Sequence, residues 1–138
     1  MIKSELIHPP LLGALAACGH KSQLLIADAN YAVTSNARKD ATVVYLNLSP
    51  GMIPAVLVLE KILTCINVEH AALMTAPADF PHTAADDYRR LLPTDCPISY
   101  LEREQFYAEV KSERTALIIA SGEQRRFANL LLTVAPVF

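Results

Sequence analysis

The sequence lacks the residue patterns that most cofactor and metal sites require. Its 138 residues include only four glycines and no tryptophan, and no GxGxxG or GxxxxGK[ST] loop is present to hold a phosphate. The four histidines are scattered, without an HExxH motif or a pair at i, i+4 spacing. A Ser-His-Asp hydrolase remains open, although no GxSxG motif marks a nucleophile. We therefore expect no metal site, unless ligands converge from distant parts of the chain.

Cysteines, net charge and long apolar runs are also scarce. Cys18, Cys65 and Cys96 are isolated and odd in number, which argues against a disulfide framework or a zinc site. A net charge of −2 offers no attraction for nucleic acid, and no apolar run is long enough to span a bilayer. The first ten residues lack the apolar core of a signal peptide. From these observations together we expect a cytoplasmic protein without a nucleic-acid or membrane partner.

Apolar residues, by contrast, are abundant. They make up 52% of the sequence, against 19% charged residues, and the mean hydropathy is +0.26. A length of 138 residues suits one domain with one sizeable core, so we predict a single domain over residues 1–138. Apolar surface beyond the needs of a monomer favours self-association.

Apolar segments of strand length alternate with helical patterns along the chain. Pro9 and Pro10 open a helical pattern that Gly19 is suited to end. Ser49 is a candidate N-cap for a second, almost wholly apolar helix with Pro54 in its first turn. Further helices are predicted at residues 85–92 and 103–113, and strands at residues 23–27, 42–48, 71–76, 116–120 and 130–134.

This alternation predicts an α/β fold with a largely parallel sheet covered by helices on both faces. The last two strands are left free to pair in either direction. Ligands bind such sheets beyond the carboxyl ends of the strands, where Asp28 and residues 121–123 are expected. His20 precedes the first strand, so it lies at the opposite end. Bringing His20 and Asp28 together requires a neighbouring subunit or a His20 loop that folds back.

Polar side chains near these strand ends have both structural and functional interpretations. His20 is either a C-terminal helix cap or a general acid–base, since imidazole titrates near neutral pH. Asp28 and Asn129 are either turn residues or ligand-binding groups. Arg103 is either an exposed helix charge or a ligand contact.

Four segments in register resemble the RbsD/FucU family of sugar-anomer mutarotases. PPLLGALAACGHKSQLLIADAN is similar to the family's N-terminal signature, and SPGMIPAVLVLEKIL is similar to its next helix. LEREQFY resembles the IERFxFY segment of the fucose branch, and SGEQRRFANLLL resembles the family's TGE…YxNxxL ending. The resemblance runs nearly from end to end of the chain.

The resemblance implies an α/β sheet fold, no metal or organic cofactor, and a ring-like homo-oligomer, commonly a decamer, with sites built across subunits. It places the family's catalytic histidine on His20 and its sugar-binding aspartate on Asp28. It assigns further substrate binding to Arg103, Phe127, Ala128 and Asn129. The family usually has a tyrosine where Phe127 stands, so one hydroxyl is missing from the expected site.

From this resemblance we expect a mutarotase, an isomerase that interconverts the anomers of a free monosaccharide by His20-mediated proton transfer through the open-chain form. LEREQFY favours an L-fucose-like hexose, because the ribose branch tends to carry a histidine here and this chain has none after His82. The alternatives are a D-ribose pyranase and a sugar-binding or transport-associated protein without catalysis, which the Phe127 substitution favours. Whether His82 or Tyr107 lines the pocket is left open.

Overall fold

A six-stranded sheet forms the centre of the structure. The computed structural model describes residues 1–81 and 83–138, so the question of whether His82 lines a pocket lies outside the described residues. In chain order the elements are α1 (Pro9–Ala17), β1 (Gln23–Ala27), β2 (Thr42–Tyr45), α2 (Ala55–Ile62), β3 (Asn67–Met74), α3 (Thr83–Leu91), β4 (Ile98–Leu101), α4 (Arg103–Val110), β5 (Thr115–Ala120) and β6 (Leu130–Ala135).

The strands lie in the order β2-β5-β1-β6-β3-β4. Strands β1 to β5 all run in one direction, whereas β6 is antiparallel to both of its neighbours, β1 and β3. The predicted α/β fold with a largely parallel sheet is therefore confirmed. The last two strands, β5 and β6, do not pair with each other, because β1 lies between them.

Alternate side chains of each strand point into two separate cores. Leu24 and Ile26 of β1 lie in the core that α1, α2 and α3 cover, whereas Leu25 and Ala27 lie in a smaller core that α4 covers. Burying one such leucine or isoleucine side chain stabilises the fold by about 1.5–3 kcal/mol. Helices thus cover both faces, and β1 is held rigidly from both sides.

Strand β4 is the element that the sequence pattern does not reveal. It is a four-residue strand that pairs only with β3, at the edge of the sheet. Its side chains are half-buried or exposed, because an edge strand has fewer neighbours to cover it. The apolar run that marks the buried strands is therefore absent, and the prolines at 93 and 97 suggest only a break.

The first helix begins at the predicted pair of prolines. His8 is its N-cap, and the His8 Nδ1 accepts a hydrogen bond from the Leu11 N–H at 3.3 Å. Prolines suit the first helical positions, because the N–H groups there have no partner within the helix. The helix ends at Ala17 with Cys18 as its C-cap. His20 therefore lies beyond the helix and does not cap it.

The second helix begins later than predicted, and Ser49 does not cap it. Its N-cap is Pro54. The loop before it packs against the loop after β5: the Gly122 N–H donates to the Ile53 carbonyl at 3.0 Å, and the Gly51 N–H donates to the Gly122 carbonyl at 2.8 Å. The Ile53 carbonyl is therefore not free to accept a bond within an earlier helix, and the φ of Ile53, +55°, is not helical.

All four helices are short, with eight or nine residues each. Helix α4 ends at Val110, three residues or one turn short of the predicted end at residue 113. Within the part of the chain that the structure describes, no helix has the length and apolar character needed to cross a membrane.

The contact between the two loops leaves no room for a side chain at Gly122. A Cβ there would lie 1.7 Å from the carbonyl oxygen of Met52, far inside van der Waals contact. We expect Gly122→Ala to lower the free energy of unfolding by about 2–3 kcal/mol, as overpacking of a buried site does. Urea denaturation followed by circular dichroism measures this change.

Gly13→Ala is the matched control. Gly13 is exposed within α1, and no atom lies within 4 Å of an added Cβ. Alanine there should raise the free energy of unfolding by about 0.5–1 kcal/mol, because glycine loses more backbone entropy in a helix. Wild-type stability in Gly122→Ala would contradict the close packing of the two loops.

Candidate functional site

Three chain segments meet beyond the carboxyl ends of the parallel strands. Asp28 follows β1, Arg103 follows β4, and Asn129 precedes β6, whose reversed direction brings its amino end to the same edge. They border an open cleft of about 330 Å³. The cleft is lined by Asp28, Asn30, Tyr31, Met74, Arg103, Tyr107, Arg126, Phe127 and Asn129.

Asp28 and Asn129 hold each other by two reciprocal hydrogen bonds. The Asn129 side-chain amide donates to Asp28 Oδ2 at 3.0 Å, and the Asp28 backbone N–H donates to Asn129 Oδ1 at 2.8 Å. The second carboxyl oxygen, Oδ1, accepts from the backbone N–H of Asn30 at 3.0 Å. Each residue of the pair is only 5% exposed, so the pair forms a fixed floor of the cleft.

The surroundings of Asp28 disfavour its charge. Burial raises the pKa of the Asp28 carboxyl above its ordinary value, and the negative charge of Glu123 adds to the rise. Backbone N–H groups, including that of Ala128, act in the opposite direction but do not outweigh burial. The carboxyl accepts hydrogen bonds when it is charged and gains a donor when it is protonated.

An ion-pair network holds the loop between β5 and β6. The Arg125 Nε and Nη2 atoms donate to the two carboxylate oxygens of Glu123, each at 2.9 Å, and Nη1 donates to Asp87 of α3 at 2.7 Å. Burial acts to raise the pKa of Glu123, but the Arg125 guanidinium and the backbone N–H groups of Arg125 and Ala55 together lower that pKa below its ordinary value. Bidentate pairs of this kind fix geometry as well as charge.

Ala128 lies beneath the cleft and is fully buried. Its carbonyl accepts a hydrogen bond from the hydroxyl of Tyr88, a buried residue of α3, at 2.6 Å. Ala128 therefore anchors the segment that presents Phe127 and Asn129, and its side chain is not among those that line the cleft.

Phe127 forms an aromatic wall of the cleft from an unusual backbone conformation. Its φ is +57°, in the left-handed region that residues with a Cβ seldom adopt. Its ring packs edge-on against Phe80, with the centroids 4.9 Å apart. The Arg126 guanidinium lies over both rings, 5.3 Å from the Phe127 centroid and 5.7 Å from the Phe80 centroid. The wall therefore combines apolar ring faces with a cation.

The opposite wall of the cleft belongs to α4. Arg103 is the first residue of this helix, and Tyr107 lies one turn later and also lines the cleft, which answers the question left open for Tyr107. The Tyr107 ring packs edge-on against Tyr31 at a centroid distance of 5.5 Å. A capping box between Glu102 and Gln105 begins the helix, so the position of Arg103 is well defined.

His20 does not join this cleft within one chain. It lies in the turn before β1, at the opposite end of the parallel strands from Asp28, and its side chain is 47% exposed. Residues 21–27 separate it from Asp28, and the five residues of β1 alone span about 17 Å at the usual rise per residue. The structure thus groups Asp28, Arg103, Phe127 and Asn129 at one cleft and leaves His20 at the other end of the strand.

A second cavity, of about 550 Å³, lies on the α4 side of the sheet. Glu69, His70 and Ser99 are among its lining residues. The His70 Nε2 and the Ser99 Oγ are hydrogen-bonded at 2.8 Å. Because Glu69 also contacts His20, this cavity lies near the amino end of β1, away from the Asp28 cleft.

The chemistry of the Asp28 cleft is that of a hydrogen-bonding site. Across residues 1–81 and 83–138, no three His, Cys, Asp or Glu side chains are placed to hold a metal ion together. The cleft instead combines a carboxyl, an amide, guanidinium donors, a tyrosine hydroxyl and apolar ring faces. Groups of this kind offer directional hydrogen bonds to a small polar ligand and an apolar face against which it can pack.

The cleft is also lined by residues to which the sequence assigned no role, among them Tyr31, Met74 and Arg126. Met74 is the last residue of β3, so the rule that ligands bind beyond strand ends indicates its neighbourhood. Arg126 adjoins Phe127 in the segment RRFAN. Tyr31 reaches the cleft through the turn after Asp28, which no local pattern predicts.

Comparison with known proteins gives a consistent result. The model of the RbsD / FucU transport protein family matches residues 1–137. A D-ribose pyranase of Halalkalibacterium halodurans is 28% identical, with both chains fully covered. The crystal structure of FucU from Bifidobacterium longum matches with a TM-score of 0.82 and 34% identity, covering 96% of this chain and 97% of that chain. The fucose mutarotase of Streptococcus pneumoniae in complex with L-fucose matches with a TM-score of 0.79 and 26% identity, covering 96% and 95%.

The buried Asp28–Asn129 pair allows a test of the electrostatics of the cleft. Asn129→Asp places a second carboxyl against Asp28, so one of the two pKa values rises strongly. We expect the free energy of unfolding at pH 7 to fall by about 2–3 kcal/mol. The folded state then binds more protons than the unfolded state, so stability recovers as the pH falls from 7 towards about 4. Urea denaturation at several pH values measures both effects.

Asn30→Asp is the matched control, because it makes the same change two residues from Asp28 at an exposed position. Its effect on the free energy of unfolding should stay within about 0.5 kcal/mol at pH 7. Equal effects of the two substitutions would contradict the buried pairing of Asp28 with Asn129.

Proposed function

Because a family model matches residues 1–137, this chain belongs to the RbsD/FucU family, and from this membership and the geometry of the cleft we propose that it is a sugar mutarotase. Such an isomerase opens a cyclic monosaccharide to its carbonyl form and closes the ring on the other face of C1. The similar proteins are named D-ribose pyranase and fucose mutarotase, and both names describe the interconversion of sugar forms.

The observation that carries this proposal is the buried Asp28–Asn129 pair at the floor of a small cleft. The volume of about 330 Å³ lies at the small end of the usual range for ligand pockets, about 300–1,000 Å³, and suits a single sugar ring. Asp28 and Asn129 offer directional hydrogen bonds to sugar hydroxyls, and Arg103 offers charge-assisted ones. The Phe127 ring offers a flat apolar face to the C–H groups of the sugar.

Mutarotation needs a base and an acid but no redox or hydrolytic group. A base removes the proton of the anomeric hydroxyl, the C1–O1 bond becomes a carbonyl, and the bond between C1 and the ring oxygen breaks. The ring oxygen keeps the electron pair of that bond and takes up a proton. His20 is proposed for both transfers, because imidazole changes its charge near neutral pH and a well-placed proton transfer accelerates a reaction by about 10²–10⁴-fold.

The separation of His20 from Asp28 supports a site built between subunits. Since the two groups lie at opposite ends of β1, they meet only when the surface around His20 of one subunit faces the Asp28 cleft of another. Such a head-to-tail contact joins two different surfaces, and repeated contacts of this kind form a ring when the rotation between neighbours closes. A homo-oligomeric ring, a decamer in the family's usual form, is therefore part of the proposal.

Exposed apolar side chains agree with self-association. Ile7, Leu48, Met52, Ile53 and Leu57 are all exposed, and most of them border the amino-terminal end of α2. Ile7, Ile53 and Leu57 also line one apolar groove. Exposed apolar surface of this kind marks interaction sites in soluble proteins.

The proposed substrate is L-fucose or a similar hexose, with D-ribose as the second candidate. The segment LEREQFY supports fucose because it resembles the fucose branch of the family, and its Arg103 and Tyr107 both line the cleft. The name of the 28% identical pyranase supports ribose.

Anomer exchange measured by NMR saturation transfer tests the activity. The protein should accelerate exchange between the anomeric proton signals of L-fucose more than those of D-ribose. His20→Ala should reduce the acceleration by at least about 100-fold, because the proton carrier is removed. His8→Asn is the matched control, because asparagine also caps helices well, and it should retain the wild-type rate.

Each other result has a definite meaning. Acceleration for D-ribose alone would make D-ribose the substrate and leave the proposed mechanism unchanged. Sugar binding without acceleration of any exchange would identify a binding protein rather than an enzyme. A wild-type rate in His20→Ala would refute the role of His20.

Mixing two inactive variants tests whether the site is shared. His20→Ala and Asp28→Asn each disable a different half of every site. In an oligomer assembled from equal amounts of both variants, a site is intact only when an Asp28→Asn chain supplies its His20 and a His20→Ala chain supplies its Asp28. Random neighbours in a ring give about a quarter of the wild-type rate. If the two residues acted within one chain, the mixture would stay as inactive as its components.

A further inference from the structure

His20 has a carboxylate partner that no sequence motif indicates. The His20 Nε2 lies 3.0 Å from Oε2 of Glu69, near the start of β3. The other oxygen of Glu69, Oε1, accepts a hydrogen bond from the Lys21 ammonium. Glu69 is therefore bound by both residues of the turn that precedes β1.

The backbone is shaped to make this contact. In the pairing of β3 with β6, Val68 faces Val134 and His70 faces Thr133, so Glu69 is the extra residue of a register shift. Such bulges redirect side chains and occur often next to active sites. Without the shift, Glu69 would occupy a regular position in the ladder.

The His20 turn is fixed to the same part of the sheet. The Lys21 N–H donates to the Val134 carbonyl at 3.0 Å, and Lys21 has a φ of +70°, which residues with a Cβ rarely adopt. The Ser22 N–H closes the turn by donating to the Gly19 carbonyl at 3.0 Å. The bulge and the turn thus converge on β6, and His20 and Glu69 are presented to each other.

The charge of Glu69 decides which nitrogen of His20 carries a proton. The hydrogen bond from Lys21 lowers the pKa of Glu69, and the one from His20 adds to that effect, so Glu69 is a carboxylate at neutral pH. A carboxylate only accepts hydrogen bonds. The Nε2 atom of His20 must therefore be the donor, and Nδ1 is the unprotonated nitrogen of the neutral ring.

We infer that Glu69 is a positioning residue that holds His20 in the Nε2–H tautomer and leaves Nδ1 as the nitrogen that exchanges protons with the sugar. This inference rests on the proposed mutarotase function and assigns a partner to its acid–base. In ring opening, Nδ1 takes the proton of the anomeric hydroxyl and the imidazolium forms. Nδ1 then returns a proton to the ring oxygen as the bond from that oxygen to C1 breaks. Glu69 keeps the Nε2–H throughout and balances the transient positive charge.

Other charged groups near Glu69 do not replace it. Glu109 lines the same cavity, but its carboxylate accepts hydrogen bonds from Gln23 and Arg114. His70 follows Glu69 in the chain and is bonded to Ser99. Glu109 is therefore a suitable control position, because it is a carboxylate of the same cavity with different partners.

Selective ¹⁵N labelling of histidine tests the tautomer directly. In wild-type protein, two-bond ¹H–¹⁵N correlations of His20 should show a protonated Nε2 and an unprotonated Nδ1, with His20→Ala used to assign the signals. In Glu69→Gln the two tautomers should mix, because an amide both donates and accepts. In Glu109→Gln the wild-type pattern should remain.

Exchange kinetics provide the second readout. Glu69→Gln should lower the rate at saturating sugar by at least about tenfold, since loss of a carboxylate that orients an imidazole base costs up to about 10⁴-fold. The KM should stay within about twofold, because Glu69 does not touch the sugar. Glu109→Gln should keep both values.

The possible failures are distinguishable. A wild-type His20 with Nδ1 protonated, or with mixed tautomers, would overturn the inference. An unchanged exchange rate in Glu69→Gln, together with an inactive His20→Ala, would also overturn the inference about Glu69. The proposed function would then still stand. A wild-type rate in His20→Ala would instead remove the proposed function itself, whatever the tautomer.

Discussion

The reversed direction of β6 is the constraint on which the Asp28 cleft depends. Because β6 runs against β1, its amino end lies beside the carboxyl end of β1, and Asn129 meets Asp28 there. The direction follows from the length of the chain before it. A parallel return to the sheet needs a crossover of a dozen or more residues, and residues 121–129 are too few. If β6 were parallel, Asp28 would be buried without its amide partner, at a cost of about 1–3 kcal/mol for the lost hydrogen bond.

Several backbone irregularities lie beside the groups of the proposed site. Phe127, with its positive φ, forms a wall of the cleft, and Lys21, also with a positive φ, follows His20. The register shift at Glu69 aims that residue at the same histidine. Each such feature costs of order 1–3 kcal/mol unless the surrounding structure enforces it. Here the enforcement comes from buried strands, the hydrogen bond of Lys21 to β6, and the hydrogen bond of Tyr88 to Ala128.

The sequence predicts well those features that depend on local pattern. Buried strands appear as apolar runs, so β1 is located correctly, and with it the residue that follows, Asp28. The first helix begins at Pro9, as the two prolines predict. Edge strand β4 is missed because half-buried residues give no such run. The start of α2 is misplaced because a contact with Gly122, far along the chain, decides it.

The site shows the same division between local and distant causes. The family resemblance assigns Arg103, Phe127 and Asn129 to the site, whereas the strand pattern alone leaves the direction of the last strand open. The antiparallel pairing of β6 with β1 is what brings Asn129 to Asp28. The contact of His20 with Glu69 joins residues 49 positions apart and depends on the register between β3 and β6. A register shift of one residue turns a side chain to the other face of a sheet. No local pattern encodes that shift, so only the folded structure reveals the pair.

The rigidity of β1 determines how catalysis can occur in the proposed function. A His20 loop that folds back towards Asp28 would have to break the hydrogen bond of Lys21 to Val134 and the contact of His20 with Glu69. It would also have to cross the length of a strand whose side chains are buried on both faces. Association of two chains needs neither change, because each chain presents both ends of β1 in their folded positions. In the proposed function, each chain folds without its neighbour, and the neighbour then supplies the second half of the proposed site.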